Sequence, residues 1–225
     1  MAVLPSADGS NPWFSMDYVT GSWAAILDAL AEHVLITFSA MALATLVAVP
    51  LALVAVRVRW LVTPALVISG LLYTIPSLAL ITGLWPVFGL STTTVIVALA
   101  LYALMVILRN TIVGLQGVPE HVTAAAKGMG YRDNQILIRI GLPMELPAVM
   151  AGIRLATVST VGLVMIGALV GHGGLGGLVL SAFTNNFYRA PIVLGIVLAM
   201  ALALLLELAL SGLQYLLTPW DRRQA

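Results

Sequence analysis

Five apolar stretches, each long enough to cross a lipid bilayer, constrain what this chain can fold into. A helix needs about 20 mainly apolar residues to span the hydrocarbon core. The candidate stretches cover residues 34–56, 61–84, 93–108 or 93–115, 146–170 and 191–217. Because a backbone in lipid must satisfy its hydrogen bonds internally, they predict an all-α, polytopic membrane protein with about five transmembrane helices.

Composition supports the same class. Only 8% of the 225 residues are charged and 61% are hydrophobic, whereas about a quarter of a soluble domain is charged. The length fits one compact membrane domain. The absence of cysteine excludes disulfides, thiol nucleophiles and cysteine metal sites. The first residues lack the basic segment of a signal peptide and predict a polar leader at the membrane interface.

The distribution of charge predicts the orientation of the spans. With the N-terminus outside, the inner side receives every one of the ten basic residues except Arg189. The outer segment before the first span contains acidic residues and no Lys or Arg. The C-terminus then lies in the cytoplasm. Residues 23–32 are too polar to cross and predict a short amphipathic helix on the membrane surface.

A polar segment, VPEHVTAAAKGMGYRDNQILIRIGLP over residues 118–143, separates the third and fourth spans. Pro119 suits the first turn of a helix, and Gly128 and Gly130 permit a tight bend. A second short helix is expected from Asp133, and Pro143 marks the return to the membrane. The segment therefore predicts a helical elbow in the cytoplasm. From these features alone, an amphipathic loop resting on lipid headgroups remains an equal alternative.

The spacing inside this elbow resembles the EAA loop of ABC importer permeases. That pattern is Glu-Ala-Ala, three residues, Gly, nine residues, Ile, one residue and Leu-Pro, and every spacing matches. One position departs, because Ala124 replaces the usual Glu, so any polar contact of that Glu is absent. The resemblance implies the MetI-like fold of type I importers over about residues 34–217. It implies that the ATPase-coupling residues are Ala124, Ala125, Ala126, Gly130, Tyr131, Ile140, Leu142 and Pro143.

The family resemblance also implies partners. The elbow would dock in a cytoplasmic ABC ATPase dimer, whose closure rocks two permease subunits between inward- and outward-open states. A second permease subunit, identical or paralogous, and an extracytoplasmic substrate-binding protein would complete an importer in a prokaryotic plasma membrane. Lys127 is followed by Gly128, so the chain has no P-loop. ATP and Mg²⁺ are therefore expected on the partner ATPase, and no catalytic residue, metal site or cofactor is expected in this chain.

These features predict three regions. Residues 1–32 form an extracytoplasmic or interfacial leader, residues 33–217 form the ABC permease domain containing the coupling loop 118–143, and residues 218–225 form a cytoplasmic tail.

A glycine-rich stretch, GHGGLG over residues 171–176, fits the dinucleotide pattern G-x-G-x-x-G. It follows a membrane span, and no βαβ unit surrounds it, which excludes that interpretation. It resembles the GxGGLG segment at the outer gate of ABC permeases, where glycines allow a close backbone approach. A flexible turn followed by a short surface helix is the alternative. His172 either contacts substrate or binding protein, or is an ordinary interfacial histidine.

Polar residues inside the spans are candidates for the translocation pathway. Glu207 and Arg154 are ionisable residues within apolar stretches. The first alternative is that these two residues pair with each other. Otherwise, Glu207 meets a cationic group in the pathway, or its carboxyl group is protonated or hydrated. The alternative for Arg154 is that its side chain snorkels to the lipid headgroups. Pro76 predicts a kink in the second span, with Tyr73 and Ser77 beside it. That kink lines a pathway or serves only packing.

The segments IPSLAL and LYALMVILRNT resemble permeases of osmoprotectant importers. The resemblance implies glycine betaine, choline, carnitine or proline betaine as substrate, with a cation–π cage on the binding protein. A permease of the same fold for methionine or another small amino-acid-like solute is the main alternative. A scaffold or channel without an ATPase is a remote one. A membrane enzyme is not favoured, because His33, His121 and His172 form no metal cluster pattern, and His33 and Glu32 are expected at the interface.

Overall fold

The computed structural model describes residues 11–220, and within that range it contains helices and no strand. Two short 3₁₀ segments and one π turn connect or extend the α-helices. The helices are α1 Met16–Gly21, α2 Trp23–Arg57, α3 Val62–Thr74, α4 Ser77–Phe88, α5 Thr92–Gln116, α6 Glu120–Gly128, α7 Asp133–Ile136, α8 Leu142–Met144, α9 Leu146–Val164, α10 Leu175–Thr184 and α11 Arg189–Leu217.

The predicted spans are confirmed with one modification. Four helical segments of residues 11–220 are long and apolar enough to cross a membrane, namely α2, α5, α9 with its 3₁₀ extension to Val170, and α11. The segment Arg59–Thr74 and α4 pass the same test together as a bent pair, so these residues contain four candidate spans, or five when the bent pair is counted as one span. The all-α, polytopic architecture expected from the apolar runs is therefore present.

The separate surface helix predicted over residues 23–32 is wrong. Residues Trp23–Arg57 form one uninterrupted helix of 35 residues that includes this segment. The stretch WAAILDALAEH contains no glycine or proline and is rich in strong helix formers, so nothing in it ends the helix. Polarity at the start of α2 therefore does not end the helix.

Pro76 breaks the second span, where only a kink was predicted. α3 ends at Thr74 and α4 begins at Ser77. Ile75 is extended, with φ −68° and ψ 127°, as the residue before a proline prefers. The missing N–H of Pro76 removes the donor that would continue the helix. The carbonyl of Ile75, which lies at the break between α3 and α4, accepts a hydrogen bond from the Tyr102 hydroxyl.

The described chain forms two compact units. The first contains residues 11–40, Pro76–Leu99 and Val158–Leu205. Its N-terminal part is anchored by a small core in which Tyr18 and Tyr188 meet edge to face with ring centroids 5.7 Å apart. Asn11 contributes two further links, because its amide donates to the Phe187 carbonyl over 3.0 Å and its Oδ1 accepts from the Arg189 N–H over 2.9 Å.

The second unit contains Met41–Ile75, Ala100–Thr157 and residues 206–220. Two glycines allow its helices α5 and α9 to pack closely. A Cβ added at Gly114 would lie 2.7 Å from Cβ of Ala148, and one added at Gly152 would lie 2.7 Å from Cβ of Asn110. Small residues at such a crossing bring helix backbones together, as is common in membrane helix pairs.

Candidate functional site

The predicted elbow forms a tight turn between α6 and α7. Gly130 has φ +85°, a left-handed conformation that a residue with a Cβ adopts only with strain. Its N–H donates to the Lys127 carbonyl over 2.9 Å, and the Tyr131 N–H donates to the Ala126 carbonyl over 3.1 Å. An ion pair between Lys127 Nζ and Asp133 Oδ1, 3.2 Å apart, joins the two sides of the turn. The bend therefore has a defined geometry.

Small side chains form the outer surface of this turn. Ala124, Ala125 and Gly130 are exposed, and a Cβ at Gly130 would meet no atom within 4 Å. Ala126 is 1% exposed and belongs to the core, so its side chain cannot contribute to a docking surface. Tyr131 is exposed at the end of the turn. Of the remaining predicted coupling residues, Pro143 is exposed and Ile140 and Leu142 are half-buried.

The elbow is connected to the fourth span through a series of backbone hydrogen bonds. After α7, residues Leu137–Gly141 form a π turn in which the Leu142 N–H reaches the Leu137 carbonyl. The Glu145 N–H then donates to Gly141, and the Val149 N–H donates to Glu145. Only one short turn therefore separates the elbow from α9. π turns within helices are often found at functional sites.

Glu145 lies at this junction and was not singled out by the sequence analysis. A Cβ added at Gly114 of α5 would lie 3.4 Å from Oε2 of Glu145, so the carboxylate packs against the α5 backbone. Burial raises the pKa of Glu145 above its ordinary value. The absence of a side chain at Gly114 is the sequence signal that such a close approach occurs.

The glycine loop, residues 171–176, is held by polar contacts within the first unit. Glu32 Oε2 accepts from the Gly174 N–H over 3.2 Å, and Glu32 Oε1 lies 3.5 Å from Nδ1 of His172. The same His172 nitrogen lies 3.1 Å from Oγ1 of Thr92. The loop is therefore tied to α2 and to the start of α5. His172 is already engaged by two protein groups.

His33 is buried inside the first unit, and its predicted interfacial depth stays a prediction. Its side chain is 0% exposed, and Nε2 lies 3.1 Å from the Val161 carbonyl. The missing side chain of Gly174, which has φ +52°, permits this burial, because a Cβ at that position would lie 2.6 Å from the His33 backbone nitrogen. The close backbone approach expected of the glycine-rich stretch is therefore confirmed.

The Pro76 break lies next to two contacting tyrosines of the second unit. In the second unit, Tyr73 contacts Tyr102 edge to face with ring centroids 5.7 Å apart, and Tyr102 also bonds the Ile75 carbonyl. In the first unit, Pro76 precedes α4, which begins at Ser77. Sequence reasoning did not single out Tyr102, although it is a polar aromatic residue within LYALMVILRNT.

Arg154 and Glu207 form an ion pair within the second unit, which was one of the alternatives predicted from the sequence. Arg154 Nε donates to Glu207 Oε1 over 2.9 Å, and Nη2 contacts the same oxygen. Nη1 donates to Oε1 of Gln214 over 3.0 Å. Gln214 was missed by the sequence analysis, although it lies seven residues after Glu207 on the same helix, a spacing that shares one face. The pair links α9 to α11.

Within residues 11–220, no group of three or more His, Cys, Asp or Glu side chains could hold a metal ion.

Long apolar helices, two of them joined by an exposed, hydrogen-bonded elbow, define a polytopic membrane protein. A family model described as "Binding-protein-dependent transport system inner membrane component" matches residues 40–220. The chain belongs to this family.

Relatives of known type cover most of the chain. Carnitine transport permease protein OpuCB of Listeria monocytogenes is 35% identical over 195 residues, which is 86% of this chain and 88% of the relative. Osmoprotectant import permease protein OsmW of Salmonella typhimurium LT2 is 36% identical over 193 residues, 84% of this chain and 89% of the relative. The resemblance to osmoprotectant permeases noted in the sequence is therefore confirmed.

Solved structures support the fold. A chain of the MetNI methionine ABC transporter in an inward-facing conformation aligns with a TM-score of 0.78, covering 88% of this chain and 98% of that chain. At 20% identity this likeness shows the fold alone. It agrees with the MetI-like architecture that the elbow spacing implied.

Proposed function

We propose that this chain is the permease subunit of an ATP-driven importer for osmoprotectants such as glycine betaine, choline, carnitine or proline betaine. Permeases named for carnitine and for osmoprotectants are its relatives at 35% and 36% identity over more than four-fifths of the chain. A methionine or related amino-acid permease is the second candidate. It is supported only by the shared fold of the methionine transporter at 20% identity.

The observation that carries the proposal is the geometry of the elbow. The exposed small residues Ala124, Ala125 and Gly130 leave a surface into which another protein's groove can close, and the Lys127–Asp133 pair stabilises its shape. A helix presented in this way suits docking in a groove. The groove belongs to a cytoplasmic ABC ATPase dimer, which supplies ATP and Mg²⁺. Tyr131, Ile140, Leu142 and Pro143 complete the coupling segment, and Ala126 supports it from the core.

The backbone and side-chain contacts around the elbow provide a route by which movement of the ATPase reaches the membrane helices. When the two ATPase subunits close, the elbow moves as a body, and the hydrogen bonds from Gly141 to Val149 carry that movement into α9. The Arg154–Glu207 pair joins α9 to α11. Two permease subunits, each carrying such an elbow, alternate between inward- and outward-open states. The second permease is identical or paralogous to this chain, and a binding protein delivers substrate from the extracytoplasmic side.

Charge distribution supports the orientation. The acidic N-terminal segment lies outside, the elbow and the C-terminus lie in the cytoplasm, and the membrane is a prokaryotic plasma membrane. The leader 1–32, the permease domain 33–217 and the tail 218–225 are the corresponding regions. Tyr73, Pro76, Ser77, His172 and Glu207 remain predicted contributors to the translocation pathway.

Uptake measurements test the substrate. The chain is expressed with its ATPase and binding protein in a host lacking its own osmoprotectant uptake, and radiolabelled glycine betaine, choline, carnitine and methionine are supplied separately. Uptake of at least one quaternary ammonium compound, without methionine uptake, is expected. Methionine uptake alone would favour the second candidate. Purification of the chain without any associated ATPase would favour a scaffold or channel and contradict both.

A further inference from the structure

A cavity of about 330 Å³ opens beside the elbow in the second unit. It lies between the end of α2 with the following turn and the elbow itself. Its volume falls at the lower end of the roughly 300–1,000 Å³ typical of small-molecule sites. Neither the coupling surface nor the pathway residues account for it, because its charged lining is formed by Arg57, Arg59, Lys127 and Asp133.

The charged side chains that line this cavity are mainly positive. Three cations and one carboxylate line it, which gives a net charge of +2. Lys127 is already paired with Asp133 at 3.2 Å. Within residues 11–220, the guanidinium groups of Arg57 and Arg59 have neither a hydrogen bond nor an ion pair, and both residues are exposed. Two unpaired guanidinium groups facing one cavity form a ready site for an oxyanion, because each can bind phosphate oxygens with paired donors.

The neighbouring residue Trp60 indicates at which level of the membrane the cavity lies. This indole directly follows Arg59 and is 75% exposed, although it is among the largest apolar side chains in the protein. Exposed tryptophans at the ends of membrane helices typically lie at the level of the lipid headgroups. The floor of the cavity is apolar, with Val56, Leu115 and Val118 among its lining residues. A ligand with a phosphate head and an apolar attachment therefore matches both parts.

We propose that this cavity binds the phosphate group of an anionic phospholipid from the cytoplasmic leaflet. Arg57 and Arg59 contact the phosphate oxygens, and the apolar floor receives the start of the acyl chains. The lipid then bridges the end of the first span to the elbow, so the position of the elbow depends on the lipid. The proposal rests on the cytoplasmic orientation of the elbow given under the proposed function.

Lipid binding by the purified full-length chain tests this site without any transport assay. Native mass spectrometry measures binding of dioleoylphosphatidylglycerol, with dioleoylphosphatidylcholine as the neutral comparison. The variant Arg57→Gln/Arg59→Gln should lose phosphatidylglycerol affinity about 30-fold, since one basic residue near a lipid surface contributes about fivefold. The matched control Arg109→Gln/Arg139→Gln removes the same charge from exposed positions outside the cavity, and its loss of affinity should be clearly smaller, because neither side chain lines the cavity.

Three results would overturn the proposal. They are wild-type phosphatidylglycerol affinity in the Arg57/Arg59 variant, equal losses in both double variants, and equal binding of the neutral lipid. A further arm titrates inorganic phosphate against chloride at matched ionic strength. Displacement of phosphatidylglycerol by phosphate but not by chloride would assign the cavity to a soluble phosphate compound instead. A transporter that fails to import osmoprotectants would leave these binding results unchanged, so the two proposals fail separately.

Discussion

Arg154 and Glu207 meet side chain to side chain within two different spans, with Nε of Arg154 donating to Oε1 of Glu207 over 2.9 Å. Both side chains are about 30% exposed, and Gln214 accepts a further hydrogen bond from the same guanidinium. A charge of either sign is costly within lipid, and pairing removes most of that cost. Glu207 is therefore first a partner of Arg154, and any role in the pathway is exercised through that pair.

Glu207→Gln should destabilise the protein by about 2 kcal/mol. This is less than the roughly 3–5 kcal/mol for breaking a fully buried pair, because both groups are partly exposed. The protein loses stability because Arg154 keeps its positive charge and no longer has a carboxylate to pair with. The measurement is the thermal unfolding of the purified protein in detergent, with uptake measured in parallel.

The double variant Arg154→Gln/Glu207→Gln is the control for that prediction. Removal of both charges should recover most of the stability lost in Glu207→Gln. If uptake recovers too, the carboxylate acts only through its partner. A double variant that is no more stable than the single one would contradict the pairing as the source of the effect.

Gly130→Asp should uncouple ATP hydrolysis from transport while leaving membrane insertion intact. The new side chain projects from the exposed side of the elbow, where it would meet the groove of the ATPase, and φ +85° adds about 1 kcal/mol of backbone strain. Substrate uptake per ATP hydrolysed, measured in proteoliposomes, should fall at least about tenfold, the equivalent of about 1.4 kcal/mol of lost coupling.

Gly21→Asp provides the matched comparison for Gly130→Asp. Gly21 ends α1, also has open space around it, and has no positive φ. It should leave coupling at the wild-type level. Ala126→Leu tests the opposite side of α6, since Ala126 is buried and its enlargement should reduce the yield of folded protein. Normal coupling in Gly130→Asp would contradict the docking surface.

Glu32→Ala should loosen the glycine loop. The variant removes the carboxylate that accepts from the Gly174 N–H at 3.2 Å and lies 3.5 Å from His172. Loss of a partner for a partly buried N–H costs about 1–3 kcal/mol. Amide hydrogen exchange in residues 171–174 should accelerate, and uptake should fall with it. Asp28→Ala, one helical turn earlier at an exposed position, should leave exchange in the loop unchanged, and equal exchange in Glu32→Ala and wild type would contradict the contact.

Glu145→Gln should stabilise the protein near neutral pH and have little effect in acid. Burial raises the pKa of Glu145 in the folded protein above its ordinary 4.5. The folded state therefore favours the protonated acid, and the stability that this preference provides is present below pH 4.5 and is lost as pH rises through the raised pKa. Unfolding temperatures of variant and wild type should converge as pH falls towards 4.5. A difference that does not vary with pH, or one matched by the exposed Glu120→Gln, would contradict this assignment.

The spans and the elbow could be predicted because their signals are local. Apolar runs of about 20 residues indicate that a helix is surrounded by lipid, and proline and glycine indicate where a helix begins or ends. Residues 118–143 contain both proline and glycine. Pro119 is the N-cap of α6 and Asp133 is the first residue of α7, each within one residue of its predicted place. The spacing within the elbow added the family, which local physics alone would not have supplied.

Contacts between distant segments could not be predicted in the same way. Glu32 and His33 precede most of the apolar part of α2, so their polarity alone favoured an interfacial position. The burial of His33 and the contact of Glu32 both depend on Gly174, more than 140 residues later, whose missing side chain admits the His33 backbone. Tyr102 likewise bonds the Ile75 carbonyl only because Pro76 ends a helix there. Such partners depend on packing that no single window of sequence contains.

The two hydrogen bonds of Asn11 have a consequence for biogenesis. They join the leader to Phe187 and Arg189, which lie 176 and 178 residues further along the chain. A ribosome delivers the leader first and these partners only when the last span is about to emerge. With the N-terminus outside, as proposed above, the N-terminal segment must therefore wait on the far side of the bilayer through nearly all of synthesis, and its docking would report that the final helix has arrived.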